Sequence, residues 1–464
     1  MKKHNYIYNI YDENKEVIEK QFLLYNPAIY KWMVIDEIGY EIVDFLNDRT
    51  KEELINYLKD KYKIDNTIID RDVTPFVDLL EKKGYLEESE DYKLGEINID
   101  EKENYPFNDM YISLTNSCNL NCIYCFNKEK RLKKIRKNEL YIDTLYVKKA
   151  LVEFKELGGK NIVFTGGEPS LHKKLLEYAE IAYEIGLNPK MITNVINLKN
   201  IDMNKLFTYI KSVEFSIDSS NEDILNELWN CGKKDYLKDI ILVFNAISNI
   251  SNEKNRIKVI IAPVINKVNA ESIIELINFV DNNLKNCEIG WNFTKYESIG
   301  NREADERLVI SDEEFSTILL SIAKVLTGKD GSCKSENARN AYEKLFAISS
   351  GGKKVAQNRK KGITCTPSFF LNVNGDVYIC QGFDEDIDGY LGNIKDKSLD
   401  DMFGSDKFKC VRERLKIENV EECCDCELRY ACAFKCVAKN RVDEKHDGCK
   451  SNMVYKMYLQ SIMG

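Results

Sequence analysis

Residues 114–126 read LTNSCNLNCIYCF, and this stretch decides the fold. Cys118, Cys122 and Cys125 follow a C-x3-C-x2-C spacing directly after Met110–Leu114, a short apolar run with the makings of a buried strand. A loop this tight brings three thiolates toward one metal group. A [4Fe–4S] cubane ordinarily takes four cysteines. Three leave one iron open, as catalytic zinc sites keep a position open for their substrate. A zinc knuckle short of one ligand is the other reading of the same spacing.

The chain has 464 residues with 15 Cys and only 3 His (His4, His172, His446), so any metal is held mainly by thiolates. Soft thiolate sites select zinc or iron–sulfur clusters. The first residues, MKKHNYIYNIYDENKEVIEK, contain no apolar signal region, so the cysteines point to metal or redox chemistry rather than disulfides. A net charge of −9 argues against a dedicated nucleic-acid binder. No apolar run approaches the roughly 20 residues of a membrane span. We therefore expect a soluble, cytoplasmic chain with neither nucleic acid nor membrane as partner.

Outward from the cysteine loop, strand-like runs at Met110–Leu114, Asn161–Phe164, Lys190–Thr193, Val213–Ile217, Ile257–Ile261 and Glu288–Asn292 alternate with helical stretches near 142–157, 172–186, 203–210, 235–248 and 270–284. This βα alternation predicts a parallel sheet, closed or partly closed, with ligands at the C-terminal strand ends. Before it, residues 5–11 and 16–24 read as strands, and Asp36–Leu46, Lys51–Tyr62 and Asp72–Lys83 as helices, with Thr50 a candidate N-cap. That order suggests a winged helix-turn-helix unit over 1–90, and 91–106 is an acidic linker. The core spans 107–302, a bridging region 303–360, and a cysteine-rich region 361–464. The run Lys128–Lys137, with seven Lys/Arg in ten, reads as a solvated loop or as an attractor for an acidic peptide.

Residues 361–464 hold nine of the fifteen cysteines. Cys365 and Cys380 frame a C-x9-G-x4-C segment whose Asn374-Gly375 is a hairpin signal. Cys423, Cys426, Cys432, Cys436 and Cys449 follow at C-x2-C-x5-C-x3-C-x12-C, a spacing that also suits zinc. Cys231, Cys287 and Cys410 read as ordinary small apolar residues.

The cysteine triad, with Tyr124 before its last member, resembles the signature of the radical S-adenosylmethionine (SAM) superfamily. In order along the chain follow Gly166-Gly167-Glu168-Pro169, similar to that family's GGEP turn, then Thr193-Asn194, then Ser216-Ile217-Asp218. Each falls at a strand end. The resemblance implies that Tyr124, Gly166, Gly167, Glu168, Pro169, Asn194, Ser216 and Asp218 surround SAM, and that Cys118, Cys122 and Cys125 carry the catalytic cluster. Two departures stand out: Val195 replaces the Gly of T-N-G, and the segment Asn226–Lys234 lacks the Arg of the family's His-Asp-x-x-Arg-Gly stretch. The C-terminal pattern, with Leu391-Gly392-Asn393-Ile394, Ser398-Leu399 and Met402-Phe403, resembles the SPASM domain. By that resemblance Cys423, Cys426, Cys432 and Cys449 hold an outer auxiliary cluster, and Cys365, Cys380 and Cys436 an inner one. Either Cys333 closes the inner site or one iron stays open, and Cys424 is a substitute ligand. Residues 26–86 resemble the PqqD-like recognition element of peptide maturases, in which a leader peptide adds as a strand beside the third strand, here near Ala28–Val34.

These resemblances together imply an α/β fold: a partial (β/α)6 radical SAM barrel between an N-terminal winged helix-turn-helix domain and a C-terminal iron–sulfur SPASM domain. They imply three [4Fe–4S] clusters, SAM, a precursor peptide bound through the first domain, and an electron donor such as flavodoxin or ferredoxin. The expected reaction is thioether crosslinking of a ribosomal peptide, as in sactipeptides or ranthipeptides. Carbon–carbon or carbon–oxygen crosslinking, sulfatase-type side-chain oxidation, and a non-enzymatic zinc-thiolate adaptor are the alternatives.

Overall fold

The computed structural model describes residues 5–11, 17–27, 31–86, 107–232, 235–296, 305–326, 368–419, 423, 424, 426–429, 454 and 457. The 91–106 linker and Cys333, Cys365, Cys432, Cys436 and Cys449 lie outside the described residues.

Strands β1 (Tyr6–Tyr11), β2 (Val17–Asn26) and β3 (Lys31–Asp36) form an antiparallel sheet in that order. The period-2 alternation of β2 feeds two cores. Leu24 joins Ile35, Val43, Leu80 and Tyr85 beneath the helices, while Leu23 and Tyr25 join Ile10, Leu428, Val454 and Met457 on the other face. Helix α1 (Glu37–Leu46) starts at Asp36, whose carboxylate accepts the Gly39 N–H. Helix α2 (Lys51–Tyr62) starts at the expected Thr50, in a reciprocal capping box with Glu53. Then come α3 (Asn66–Ile68), one wide turn over Ile69–Val73, and α4 (Thr74–Lys83). The helix expected from Asp72 thus begins two residues later, with Pro75 in its first turn, where a missing N–H costs nothing.

In the core, β4 (Asp109–Thr115) leads through the cysteine loop to α5 (Lys128–Arg136) and α6 (Thr144–Glu156). Next are β5 (Asn161–Gly166), α7 (Leu175–Glu184), β6 (Asn188–Thr193), α8 (Met203–Tyr209) and β7 (Ser212–Phe215). Helices α9 (Glu222–Trp229) and α10 (Tyr236–Ile250) precede β8 (Lys258–Ile261), β9 (Val264–Ile265), α11 (Ile273–Asn283), β10 (Glu288–Trp291), β11 (Thr294–Lys295) and α12 (Asp312–Leu326). All six expected strands lie side by side and parallel, in the order β10-β8-β7-β6-β5-β4.

The described strands of the cysteine-rich region join the core sheet. Strand β12 (Ser368–Leu371) pairs parallel with β4, Ser368 opposite Asp109, and β13 (Asp376–Tyr378) and β14 (Tyr390–Asn393) continue the same sheet antiparallel. The β12–β13 hairpin turns at Gly375, φ +86°, a conformation that favours glycine. The Asn393 amide donates to the Asn374 carbonyl (3.0 Å) and the Asp376 carboxylate (2.8 Å). Helices α13 (Leu399–Phe403) and α14 (Asp406–Leu415) follow.

Two expectations need correction. The basic run is not a solvated loop but helix α5, and its Arg131 and Lys134 are buried. Its spacing presents cations on every face, so some must turn inward when the helix docks. Cys231 and Cys410 are exposed rather than core residues, and the Cys231 thiol sits 2.6 Å from the Tyr236 hydroxyl.

Lys134 meets Asp384 at 2.9 Å, both side chains about 5% exposed, and Asn372 donates to the second Asp384 oxygen at 3.0 Å. This pair ties the helix after Cys125 to the segment after Cys380. Lys134→Met strands a buried carboxylate. We expect urea unfolding to show a loss of about 3–5 kcal/mol, the usual cost of breaking such a pair from one side.

Candidate metal and cofactor site

The cysteine loop is held from three directions by backbone bonds. Its start is gripped by the turn after β5: Gly167 N–H donates to the Thr115 carbonyl (2.6 Å) and Glu168 N–H to the Ser117 carbonyl (2.8 Å). A Cβ on Gly167 would lie 2.1 Å from the Ser117 oxygen, and one on Gly166 (φ +134°) 2.4 Å from the Thr115 oxygen. Only glycine permits that approach. The middle of the loop hangs on the end of α9, with Asn121 N–H on the Trp229 carbonyl (3.0 Å) and Ile123 N–H on the Leu228 carbonyl (2.9 Å). Its far end enters α5.

Two buried carboxylates lock the neighbouring strand ends. Glu168 accepts from Ser170 N–H (3.0 Å), the Thr193 hydroxyl (2.7 Å) and Asn194 N–H (2.8 Å), joining the β5 turn to the end of β6. Asp218 accepts from the Trp229 indole (2.7 Å), Val264 N–H (2.9 Å) and the Tyr124 hydroxyl, joining the segment after β7 to the cysteine loop. Burial pushes both carboxyls above their ordinary values, and these donors pull them back. Each oxygen is thus engaged within the chain itself. Ser216 is half-buried at the β7 end, and its N–H donates to the Thr193 carbonyl (3.0 Å).

None of the three thiols is in a disulfide. Burial pushes Cys118 up and Cys122 well up, and each also responds to the charges of its neighbouring cysteines. Donors face the sulfurs: Leu120 N–H (3.5 Å) and the Asn194 amide (3.8 Å) at Cys118, and the Arg131 guanidinium (3.9 Å) at Cys125. Among the described residues no three Cys, His, Asp or Glu side chains close around a single ion. Three partly buried thiols on one loop, two of them faced by N–H donors, fit a multi-iron group, whose positive irons would deprotonate them outright.

The structure thus gathers Cys118, Cys122, Cys125, Tyr124, Gly166, Gly167, Glu168, Asn194, Ser216 and Asp218 at one end of the sheet, with Pro169 in the adjoining turn. Cys380 follows β13, where its sulfur accepts Gly382 N–H (3.3 Å). Cys423, Cys424 and Cys426 sit together on one turn, capped by Arg429 at the Cys423 and Cys424 carbonyls. Val195, where the resemblance expects Gly, adopts φ +75° with its side chain fully buried. A β-branched residue is strained there, and its burial offsets the strain. Sequence reasoning missed Trp229, Asn119 (which accepts from Asn194 at 2.7 Å) and Arg131. Helix α9 was legible from Asn221, an N-cap that accepts from Asp223 and Ile224, followed by apolar Ile224, Leu225 and Leu228.

Comparison with known proteins agrees with this geometry. Residues 112–280 match the radical SAM superfamily, 365–427 an iron–sulfur cluster-binding domain (SPASM), and 21–86 coenzyme PQQ synthesis protein D (PqqD). The chain carries radical SAM, SPASM and PqqD domains. It is 27% identical over 253 residues to GTP 3′,8-cyclase of Clostridium botulinum, 54% of this chain and 75% of that protein. To the same enzyme of Staphylococcus epidermidis it is 28% identical over 215 residues, 42% of this chain and 60% of that protein. Streptococcus suis SuiB bound to precursor peptide SuiA superposes with a TM-score of 0.54 at 16% identity, over 93% of this chain and 94% of that one. Native anSMEcpe with bound AdoMet and Cp18Cys peptide also gives 0.54, at 18% identity, over 77% and 96%. These likenesses establish the radical SAM α/β fold with a C-terminal SPASM domain. The described residues contain no helix long and apolar enough to cross a membrane.

Two outcomes follow from this geometry. Gly167→Ala must displace the Ser117 carbonyl, so we expect lowered thermal stability and loss of iron from the first cysteine loop, read by iron assay. His172, buried between the Tyr141 and Tyr178 rings, has its pKa pushed down to about 4 by burial. It stays neutral when folded while the unfolded chain takes up a proton near pH 6.5, so stability falls as pH drops from about 6.5 toward 4, by at most about 3 kcal/mol. His172→Asn should flatten that part of the denaturation-versus-pH curve.

Proposed function

We propose that this protein is a radical SAM enzyme that modifies a ribosomally made precursor peptide, forming thioether bonds between cysteine sulfur and unactivated carbon. The observation that carries the proposal is the Cys118/Cys122/Cys125 loop clamped onto the Gly166-Gly167 turn at the C-terminal strand ends. Bound there, a [4Fe–4S] cluster with SAM would supply the radical chemistry needed at an unactivated C–H bond of the peptide. In this reading Cys118, Cys122 and Cys125 hold the cluster. Backbone groups of Gly166 to Pro169, with Asn194 and Ser216, line the SAM site. Tyr124, Glu168 and Asp218 fix its walls through their hydrogen bonds.

Cys365, Cys380 and Cys436, with Cys423, Cys426, Cys432 and Cys449, would hold two auxiliary clusters, and a flavodoxin or ferredoxin would deliver electrons. The PqqD match over 21–86 and the precursor-bound SuiB likeness support a leader peptide docking on the first domain.

The test is anaerobic reconstitution, reduction and incubation with SAM and a cysteine-containing precursor peptide that binds the first domain. We expect about twelve irons per chain, the sum of three cubanes. We also expect 5′-deoxyadenosine, and a peptide that loses two hydrogens per crosslink with the cysteine thiol consumed. Cys118→Ala should abolish 5′-deoxyadenosine and leave the C-terminal iron in place. Zinc alone, or no 5′-deoxyadenosine from the wild type, overturns the enzyme reading. A crosslinked peptide with its thiols intact overturns the thioether and favours carbon–carbon or carbon–oxygen bonding.

A further inference from the structure

Helix α5 carries a buried cation whose charge no carboxylate among the described residues matches. Arg131 lies six residues beyond Cys125 and is buried. One guanidinium nitrogen donates to the Asn116 carbonyl at 3.0 Å, and the other points at the Cys125 sulfur at 3.9 Å. Among the described residues no carboxylate lies within ion-pair distance of it. Three residues on, the other buried cation of the helix, Lys134, is neutralised by Asp384 at 2.9 Å. Lys133 and Arg136 stand in solvent. One short helix thus holds two buried cations, one matched by a carboxylate and one facing sulfur.

An unpaired buried guanidinium is costly, because it is always charged and cannot escape by losing its proton. The cost disappears if its counter-charge is the cysteine loop itself. Three thiolates make an iron–sulfur group net negative, and reduction adds one more negative charge. A fixed cation beside it stabilises the reduced form more than the oxidised one, and net charge is one of the terms that sets such potentials.

We propose that Arg131 is the built-in counter-charge of the Cys118/Cys122/Cys125 group and raises the potential at which that group accepts its electron. The inference rests on the iron–sulfur reading given under Proposed function. Arg131 acts through that group as a positioning residue and does not touch the substrate.

The test is a redox titration of the reconstituted protein followed by electron paramagnetic resonance, tracking the signal that Cys118→Ala deletes. Four variants are compared with wild type: Arg131→Met, Arg131→Lys, and, as exposed charges on the same helix, Lys133→Met and Arg136→Met. Arg131→Met should lower the reduced-to-oxidised ratio at fixed potential about tenfold, a downward shift of ~59 mV for one electron. Arg131→Lys, which keeps the charge, should retain most of the wild-type ratio. The two exposed variants should leave it unchanged, because solvent and salt screen them.

Loss of first-site iron in Arg131→Met but not in Arg131→Lys also supports the proposal. A ratio within about twofold of wild type in Arg131→Met overturns it, as does an equal fall in Arg131→Lys or in the exposed variants. Loss of iron from both Arg131 variants overturns it too, since lysine keeps the charge and lacks only the fork. If the wild type shows no Cys118-dependent signal, the iron–sulfur reading itself fails. A normal wild-type signal with an unmoved potential sinks the counter-charge alone.

Discussion

Two strand ends meet in this protein because two side chains are missing. The turn after β5 lies against the backbone of residues 115–117 so closely that a methyl group on Gly167 would sit inside the Ser117 carbonyl. Hydrogen bonds of 2.6 and 2.8 Å across that contact set where the cysteine loop begins, and therefore where its sulfurs stand. The rest of the site is arranged around this clamp. Glu168 leaves the same turn and ties it to β6, and β6 presents Asn194 to Asn119 and toward Cys118. A shift of a few tenths of an ångström at the glycines would pass to every wall of the site.

The buried carboxylates answer a problem that the clamp creates. Strand ends at the mouth of a sheet leave backbone N–H groups without ladder partners, and a buried orphan donor is costly. Glu168 satisfies three donors with one side chain, and Asp218 three more. Their acidity is spent on structure. Burial opposes their ionisation and the donors favour it, a balance that keeps the groups engaged and the surrounding loops in one arrangement.

The N-terminal sheet and the cysteine-rich region also belong to one packing scheme. β1–β3 bury one face against their own helices and the other against Leu428, Val454 and Met457, with Tyr8 donating to Glu427 at 2.8 Å beside Cys426. The β12–β14 strands extend the core sheet from the β4 edge, so the segments carrying Cys125 and Cys380 are braced on one framework through Lys134 and Asp384. The N-terminal sheet therefore packs on the segment that carries Cys426, while the segments carrying Cys125 and Cys380 are braced on the core sheet.

Much of this was legible one residue at a time. Period-2 and period-3.6 apolar patterns located six core strands and their helices, because burial of one face imposes its repeat on the sequence. Thr50 and Asn374-Gly375 each act locally, and each behaves in the fold as its chemistry requires. What the sequence could not disclose was which polar groups turn inward. Seven cations in ten residues look alike until the helix docks, and only docking selects Arg131 to face Cys125 and Lys134 to face Asp384, 250 residues away. The partners of Asp218 come from Tyr124, Trp229 and Val264, brought together by β7, α9 and β9. Local geometry is written in neighbouring residues, whereas the pairing of buried charges depends on distances that exist only once the sheet has assembled.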